Sequence, residues 1–208
     1  MLDDREVVIL AGGRSSRMGR PKASLDFGGV PLLQRIINRL EPSFSHFLVV
    51  AAPAQELPPI APSGHPVRVV YDEQPGEGPV GGLVVGLREM PPCRSVALVL
   101  TCDVPFVSPA VAEYLVDATE GYDVAVPEWQ GRLNPLQAAY RRTCQPILAE
   151  LFAAGRRRPV DLYDRVRTRI IREEEIRAID PEGLTFLNMN SPEDYERALA
   201  IAAEPDAA

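Results

Sequence analysis

Residues 10–22, Leu-Ala-Gly-Gly-Arg-Ser-Ser-Arg-Met-Gly-Arg-Pro-Lys, form a glycine- and cation-rich segment directly after an apolar run. Glycine permits the tight turns and close approach through which backbone N–H groups surround a phosphate. Five residues lie between Gly13 and Gly19, so the spacing fits neither a Walker A loop nor the G-x-G-x-x-G fingerprint. The segment therefore predicts a phosphate-binding loop of a third kind.

Positive charge is concentrated in the same segment, although the chain carries a net charge of −7. Local cations favour a polyanionic ligand such as a nucleoside triphosphate. Lys22 is the only lysine among the 22 Lys+Arg residues, and a compact ammonium fits between phosphate oxygens differently from a planar guanidinium. We expect Arg17 and Lys22 to act on the phosphates. A solvated surface turn for the arginines, and chance for the lysine, remain alternatives.

A second candidate is Asp103, which follows the apolar run 96–100 and precedes Pro105. An acid at the carboxyl end of a central strand is well placed to hold Mg²⁺, which prefers oxygen ligands and commonly bridges substrate phosphates. The alternative is an N-cap for the next helix, but Ser108 before Pro109 suits that role better. We therefore expect Asp103 to be a metal ligand.

A third candidate is Asp72, at the start of a glycine-rich segment that leads into a predicted helix. Glycines at a helix entrance let a flat base or ribose lie against the backbone, and the Asp72 carboxylate can accept hydrogen bonds from it. Taken alone, the segment is equally compatible with a simple turn.

Alternating strand and helix patterns must position these residues, and they predict an α/β fold. We expect a mostly parallel mixed sheet flanked by helices, with ligands at the carboxyl ends of its strands. Buried strands are predicted at 7–10, 47–51, 67–71, 96–100 and 124–126, helices at 32–40, 80–90, 109–118 and 144–154, additional antiparallel or mixed strands within 132–142, 168–172 and 184–187, and a closing helix at 192–203 with Ser191 as its N-cap.

Length and composition limit the class of protein. A chain of 208 residues with 46% hydrophobic and 25% charged residues predicts a single globular domain over 1–208. We expect a cytoplasmic protein that binds neither membrane nor nucleic acid, because its N-terminus is acidic, it has no long apolar run, and its net charge is negative. The three cysteines fit neither a disulfide framework nor a zinc site, and two isolated histidines are poor material for a catalytic triad.

Four motifs together resemble those of the molybdenum cofactor guanylyltransferases, which belong to the nucleotidyltransferases of Rossmann-like fold. They are L-A-G-G-x-S-x-R-M-G-x-x-K at 10–22, G-P-x-G-G-L at 78–83, C-D-V-P-F at 102–106 and F-x-N-x-N-S-P-E-D at 186–194. Their order and spacing hold over nearly the whole chain. Two departures are Ala51-Ala52, where some relatives carry an asparagine, and Asn134 before Pro135, where some carry a histidine.

The resemblance implies GTP and molybdopterin as substrates, molybdopterin guanine dinucleotide and pyrophosphate as products, and contacts with other molybdenum cofactor biosynthesis proteins and molybdoenzyme acceptors. It implies a nucleotide-binding N-terminal half and a molybdopterin-binding C-terminal half. A related enzyme that uses CTP or acts on a sugar phosphate, or a non-catalytic nucleotide-binding adaptor, remains an alternative. The implied site residues are Leu10, Ala11, Gly12, Gly13, Lys22, Asp72 and Gly81 for the nucleotide, Asp103 for Mg²⁺, and Arg157, Arg158, Asn188 and Asn190 for molybdopterin.

Overall fold

The computed structural model describes residues 4–12, 21–61, 64–72 and 78–203. Strands and helices alternate through the first half of the chain, as the sequence pattern predicts. The strands are β1 (Arg5–Leu10), β2 (Phe47–Ala51), β3 (Val67–Tyr71), β4 (Val96–Thr101), β5 (Val124–Trp129), β6 (Arg132–Leu133), β7 (Gln137–Arg141) and β8 (Thr168–Ile171). The helices are α1 (Leu32–Leu40), α2 (Pro79–Glu89), α3 (Pro109–Asp117), α4 (Gln145–Ala153), α5 (Glu173–Arg177) and α6 (Pro192–Ala202).

The strands form one mixed sheet in the order β3-β2-β1-β4-β7-β5-β6, and β8 pairs with β5. β1, β2, β3 and β4 are parallel, whereas β7 runs antiparallel to both β4 and β5. The edge at which the four parallel strands end is called the carboxyl edge here. Ligands of open α/β sheets bind at this edge, so the topology makes the loops after β1, β2, β3 and β4 the candidate ligand-binding loops.

Alternate side chains of β1 build two cores, one on each face of the sheet. Val7 and Ile9 pack in the core that includes buried residues of α1 and α3. Val8 and Leu10 pack in the other core, with buried residues of α2 and Leu148 of α4. Each fully buried aliphatic side chain contributes about 1.5–3 kcal/mol to the free energy of folding, so the sheet that supports the edge loops is well stabilised.

Helix α2 approaches β1 very closely at Gly86. A Cβ added there would lie only 2.5 Å from Cγ1 of Val8. This approach requires glycine, and it fixes the height at which α2 begins over the carboxyl edge.

The fold class predicted from the sequence is confirmed, with local differences. β3 is an edge strand and not a buried one, with Tyr71 52% exposed. Residues 184–187 were expected to form a strand, but Leu184–Phe186 form a 3₁₀ turn after Gly183, whose φ is +66°. The predicted caps are present: the Ser108 hydroxyl accepts from the Val111 amide, and Ser191 forms a capping box with Asp194. No helix within the described ranges is long and apolar enough to cross a membrane.

Candidate functional site

The ammonium of Lys22 joins the two most separated candidate motifs. Its Nζ donates to Oδ2 of Asp103 and to Oδ1 of Asn190, each at 2.8 Å. The Lys22 and Asp103 side chains are only 21% and 13% exposed, so this is a largely enclosed ion pair. The structure therefore brings together a cation, a carboxylate and an amide from three distant chain segments.

Helix α1 holds both sides of the ion pair. Lys22 begins a 3₁₀ turn, Lys22–Ser24, whose Ala23 is fully buried in the same core as α1. On the other side, Nε of Arg35 and Nε of Arg39 donate to the carbonyls of Pro105 and Val107, in the loop that follows Asp103. The loop after β4 and the Lys22 turn are thus anchored to one rigid element.

The Asn190 segment is held by α6 and by the loop after β4. The Asp194 carboxylate accepts hydrogen bonds from the amides of Asn190 and Ser191. The Tyr195 hydroxyl donates to the carbonyl of Asp26, a few residues after Lys22. The amide of Met189 donates to the carbonyl of Asp103 at 3.0 Å. These contacts fix Asn190 opposite the Lys22 ammonium.

Thr101 orients the Asp103 carboxylate, because its Oγ1 donates to Oδ1 at 2.5 Å while Lys22 engages Oδ2. Cys102 between them is 4% exposed and lies in the hydrophobic core. Burial raises the pKa of the Cys102 thiol, and the charge of Asp103 raises it further. Cys102 is therefore a neutral packing residue and not a nucleophile.

Oxygen ligands around Lys22 suit a hard cation. Asp103 and Asn190 present a carboxylate and an amide oxygen to a single cationic centre, which the ammonium occupies. No group of three or more His, Cys, Asp or Glu residues suited to a metal exists within the described chain. Mg²⁺ usually takes one or two carboxylates and completes its shell with water and phosphates, so this sparse oxygen set fits it.

Ala11 and Gly12, which follow β1, lie against the end of β2 and the residue after it. The amides of Ala11 and Gly12 both donate to the carbonyl of Val50, and a Cβ added at Gly12 would lie 3.2 Å from the backbone nitrogen of Ala52. Gln55, which the sequence reasoning missed, joins the two loops: its Nε2 donates to the Ala11 carbonyl and its Oε1 accepts from the Ala52 amide. Its position in a proline-rich loop gave no signal of this role.

Asp72 lies at the entrance of α2, as predicted. Its amide donates to the carbonyl of Ala51, and a Cβ added at Gly81 would lie 3.3 Å from its Oδ2. The same Cβ would lie 3.5 Å from the ring of Phe152, a residue of α4 that sequence reasoning did not single out. Asp72, Gly81 and Phe152 therefore form one compact cluster near the end of β3.

Arg157 joins this second cluster from the layer of α4. Its guanidinium carbon lies 4.2 Å from the centre of the Phe152 ring, and its Nη1 donates to the Phe152 carbonyl at 2.6 Å. Arg158 is exposed and lies 3.6 Å from Asp161, in a shallow pocket with Arg157. The arginines thus approach the sheet from the layer of α2 and α4, whereas Asn188 and Asn190 precede α6 on the opposite face.

Asn188 has a buried neighbour that the motifs did not reveal. Nε2 of Gln137, a residue of β7, donates to Oδ1 of Asn188 at 2.7 Å. Asn134, the departure from the family pattern, lies in the turn before β7, where its Nδ2 donates to the Arg132 carbonyl. Leu10, at the end of β1, is buried below the loop. The candidate residues Gly13 and Arg17 lie outside the described residues.

A sheet whose parallel strands bring Gly12, Lys22 and Asp103 to one edge is typical of α/β proteins that bind nucleotides. The chain belongs to the family with the MobA-like NTP transferase domain, whose model matches residues 7–169. The resemblance to nucleotidyltransferases expected from the motifs is therefore confirmed.

Two curated relatives named probable molybdenum cofactor guanylyltransferase match nearly the full length. The protein of Pelotomaculum thermopropionicum is 34% identical over 195 residues, covering 94% of this chain and 92% of the relative. That of Chloroflexus aggregans is 35% identical over 195 residues, covering 91% and 90%.

Solved structures share the fold at lower sequence identity. Molybdopterin-guanine dinucleotide biosynthesis protein A from Archaeoglobus fulgidus has a TM-score of 0.78 and 24% identity, covering 95% of this chain and 98% of that chain. Rv0371c from Mycobacterium tuberculosis, in complex with manganese, has a TM-score of 0.65 and 20% identity, covering 95% and 98%.

Proposed function

We propose that this protein transfers GMP from GTP to the terminal phosphate of molybdopterin, giving molybdopterin guanine dinucleotide and pyrophosphate. The observation that carries the proposal is the junction of Lys22 with Asp103 and Asn190, in a chain of the MobA-like family. It unites the phosphate-loop lysine, the candidate metal ligand and a motif implied in binding the second substrate.

The spacing of the strands supports a nucleotide lying across the carboxyl edge. Three steps separate β4 from β3 in the sheet, or about 14 Å at roughly 4.8 Å per strand. That length suits an extended nucleoside triphosphate, with its phosphates near Lys22 and its nucleoside toward Asp72 and Gly81. Gln55 braces the intervening loops through Ala11 and Ala52.

The reaction needs no protein nucleophile. A phosphate monoester has a second pKa near ~6, so its oxygen is largely deprotonated at neutral pH and can attack the α-phosphorus directly. One P–O bond forms as the bond to the departing pyrophosphate breaks. Lys22 and Arg17 would stabilise the charge that accumulates on that leaving group, so the protein's task is alignment and charge neutralisation.

Asp103 would hold Mg²⁺ in this reaction. When bound, the ion supplies charge neutralisation between substrate phosphates. Thr101 keeps the Asp103 carboxylate oriented, and Lys22 is then available to the phosphates. The complex of the structural neighbour Rv0371c with manganese is in line with a divalent ion in this fold.

The molybdopterin would lie toward the C-terminal half of the chain, with Asn188 and Asn190 on one side and Arg157 and Arg158 on the other. Arginines suit a terminal phosphate, and asparagines offer hydrogen bonds to a polar pterin.

We also propose that the protein works in the cytoplasm, where its product would pass to molybdoenzyme acceptors.

The test is a pyrophosphate-release assay with Mg²⁺, molybdopterin and either GTP or CTP, with the product identified by mass. We expect release only with molybdopterin and a preference for GTP. A preference for CTP would establish the sibling activity instead. Nucleotide binding without any pyrophosphate release, with either nucleotide, would establish a non-catalytic adaptor.

A further inference from the structure

We propose that Gln137 is a positioning residue that fixes the Asn188 amide as a hydrogen-bond donor toward the second substrate, an inference that rests on the proposed function. Gln137 lies on β7 opposite Leu100 of β4, close below the loop that carries Asp103. It is only 3% exposed, which is unusual for a glutamine. Its Nε2 donates to Oδ1 of Asn188 at 2.7 Å.

This bond determines which end of the Asn188 amide a ligand meets. Oδ1 is occupied by Gln137, while Nδ2 has no partner among the described residues. Asn188 is half-buried and not fully enclosed. What Asn188 offers to a substrate is therefore an N–H donor.

The surroundings of Gln137 also explain why the side-chain amides of Gln137 and Asn188 do not both flip by 180°. Its Oε1 is buried and has no partner in the described structure. Turning both amides would preserve their mutual hydrogen bond but would bury an unpartnered NH₂ group in place of that oxygen. A buried orphan donor is less tolerated than an under-satisfied carbonyl, so the observed orientation is favoured.

The side-chain amide of Asn190 is oriented in the same way as that of Asn188, with Nδ2 left to donate, for an independent reason. Its Oδ1 accepts from the Lys22 ammonium, which can only donate. Its Nδ2 likewise has no partner in the described part of the chain. The two asparagines thus form a pair of donors that selects acceptor oxygens, which a phosphorylated pterin carries both on its phosphate and on its ring.

Variants of Asn188 test whether its amide donates a hydrogen bond to molybdopterin or accepts one. Asn188→Ala removes the donor, whereas Asn188→Asp keeps the shape and sets a carboxylate against an acceptor. We expect the KM for molybdopterin to rise about 10-fold in the alanine variant and further in the aspartate variant, with the KM for GTP unchanged. An aspartate variant that binds molybdopterin as well as or better than the alanine variant would overturn the donor assignment.

Gln137 variants test the positioning. Once ionised, the carboxylate in Gln137→Glu can only accept, so on the alkaline side of a pH profile it should draw Nδ2 of Asn188 inward and present Oδ1 to the substrate. We expect the KM for molybdopterin to rise about 10-fold while kcat at saturation stays within about twofold, and Gln137→Met, which leaves the amide free to turn, should lie between. Equal KM values for the two variants, or changes that only follow the melting temperature, would mean that Gln137 is merely structural.

The source of the acceptor is resolved by comparing molybdopterin with its dephosphorylated form in direct binding measurements. If the Asn188 ranking persists without the phosphate, the donors meet the ring; if it disappears, they meet the phosphate. Wild-type protein that transfers no nucleotide to molybdopterin overturns the proposed function. Active wild type with the reverse ranking of variants overturns this inference alone.

Discussion

At the scale of single residues, the ion pair between Lys22 and Asp103 dominates the site. Its side chains are 21% and 13% exposed, so the pair is less screened than a surface salt bridge. Each partner has a second hydrogen bond, to Asn190 and to Thr101 respectively. The structure therefore keeps both groups oriented before any substrate arrives.

Replacing Asp103 with asparagine should abolish transfer and leave the fold intact. The amide oxygen can still accept from Lys22, so we expect the free energy of unfolding to change by only about 1 kcal/mol. The negative charge that would hold Mg²⁺ is lost, and with it the alignment of the phosphates. Pyrophosphate release and urea unfolding measure the two effects. Near-wild-type turnover would remove Asp103 from the mechanism.

Lys22→Arg retains the charge and changes only its shape. The guanidinium can still pair with Asp103, so the melting temperature without ligand should not change. A displacement of ~1 Å at the phosphates can cost ~100-fold in rate, and we expect a fall in turnover of that order. The reverse exchange Arg165→Lys, at the exposed pair with Glu150, is the matched control and should leave turnover unchanged. Full activity of the Lys22→Arg protein would make Lys22 an ordinary surface cation.

At the scale of elements, residue pattern predicted the parallel part of the fold well. β2, β3 and α1 have the bounds that apolar periodicity indicated, since each is a regular run with clear ends. The strand predicted at 184–187 was wrong. Two apolar residues there pack against the core from a 3₁₀ turn, and an alternating apolar pattern does not distinguish such a turn from a strand. α5 was missed because it is a single short, strongly charged turn.

The candidate residues that the structure brings together were predictable where they stood in loops with unusual composition, and not where they stood inside strands or ordinary loops. Lys22 and Asp103 were found from their glycine and proline surroundings. Gln137 and Gln55 carry no local signal, because their roles depend on partners 51 and 44 positions away. Only the fold brings those partners together.

The contact between α2 and β1 gives a prediction at this scale. A Cβ at Gly86 would lie 2.5 Å from Val8 Cγ1, so Gly86→Ala requires either the Val8 side chain or the helix to shift. We expect a loss of about 1–3 kcal/mol in the free energy of unfolding, measured with urea. Gly82→Ala is the control, because its Cβ would meet Leu10 at 3.4 Å, an ordinary contact.

A double variant with Val8→Ala extends the test of Gly86. If the clash with Val8 is the cause, Val8→Ala and Gly86→Ala together should cost less than the sum of the single variants. Additive losses would assign the effect to something other than this contact.

At the scale of the whole molecule, the sheet has a parallel part and an antiparallel part, and each brings different candidate residues to the carboxyl edge. The parallel strands β3, β2, β1 and β4 end at one edge and collect the nucleotide candidates there. β7 returns antiparallel beside β4, which brings Gln137 and, through it, Asn188 next to the same edge. Substrates held on the two parts would meet at β4, where Asp103 stands.

This arrangement predicts that nucleotide binding stabilises the entire fold. A GTP molecule with Mg²⁺ would join the loops after β1, β3 and β4. At 100 times its dissociation constant, a ligand specific for the folded state adds ~2.7 kcal/mol, or about 5–10 °C in melting temperature for a chain of this size. We expect GTP to give the largest shift among the four ribonucleoside triphosphates, each tested at the same concentration with Mg²⁺. The Asp103→Asn protein should lose most of the Mg²⁺-dependent part of that shift. Equal shifts for all four nucleotides would contradict guanine selectivity, because a site that does not distinguish the bases cannot be stabilised more by one of them.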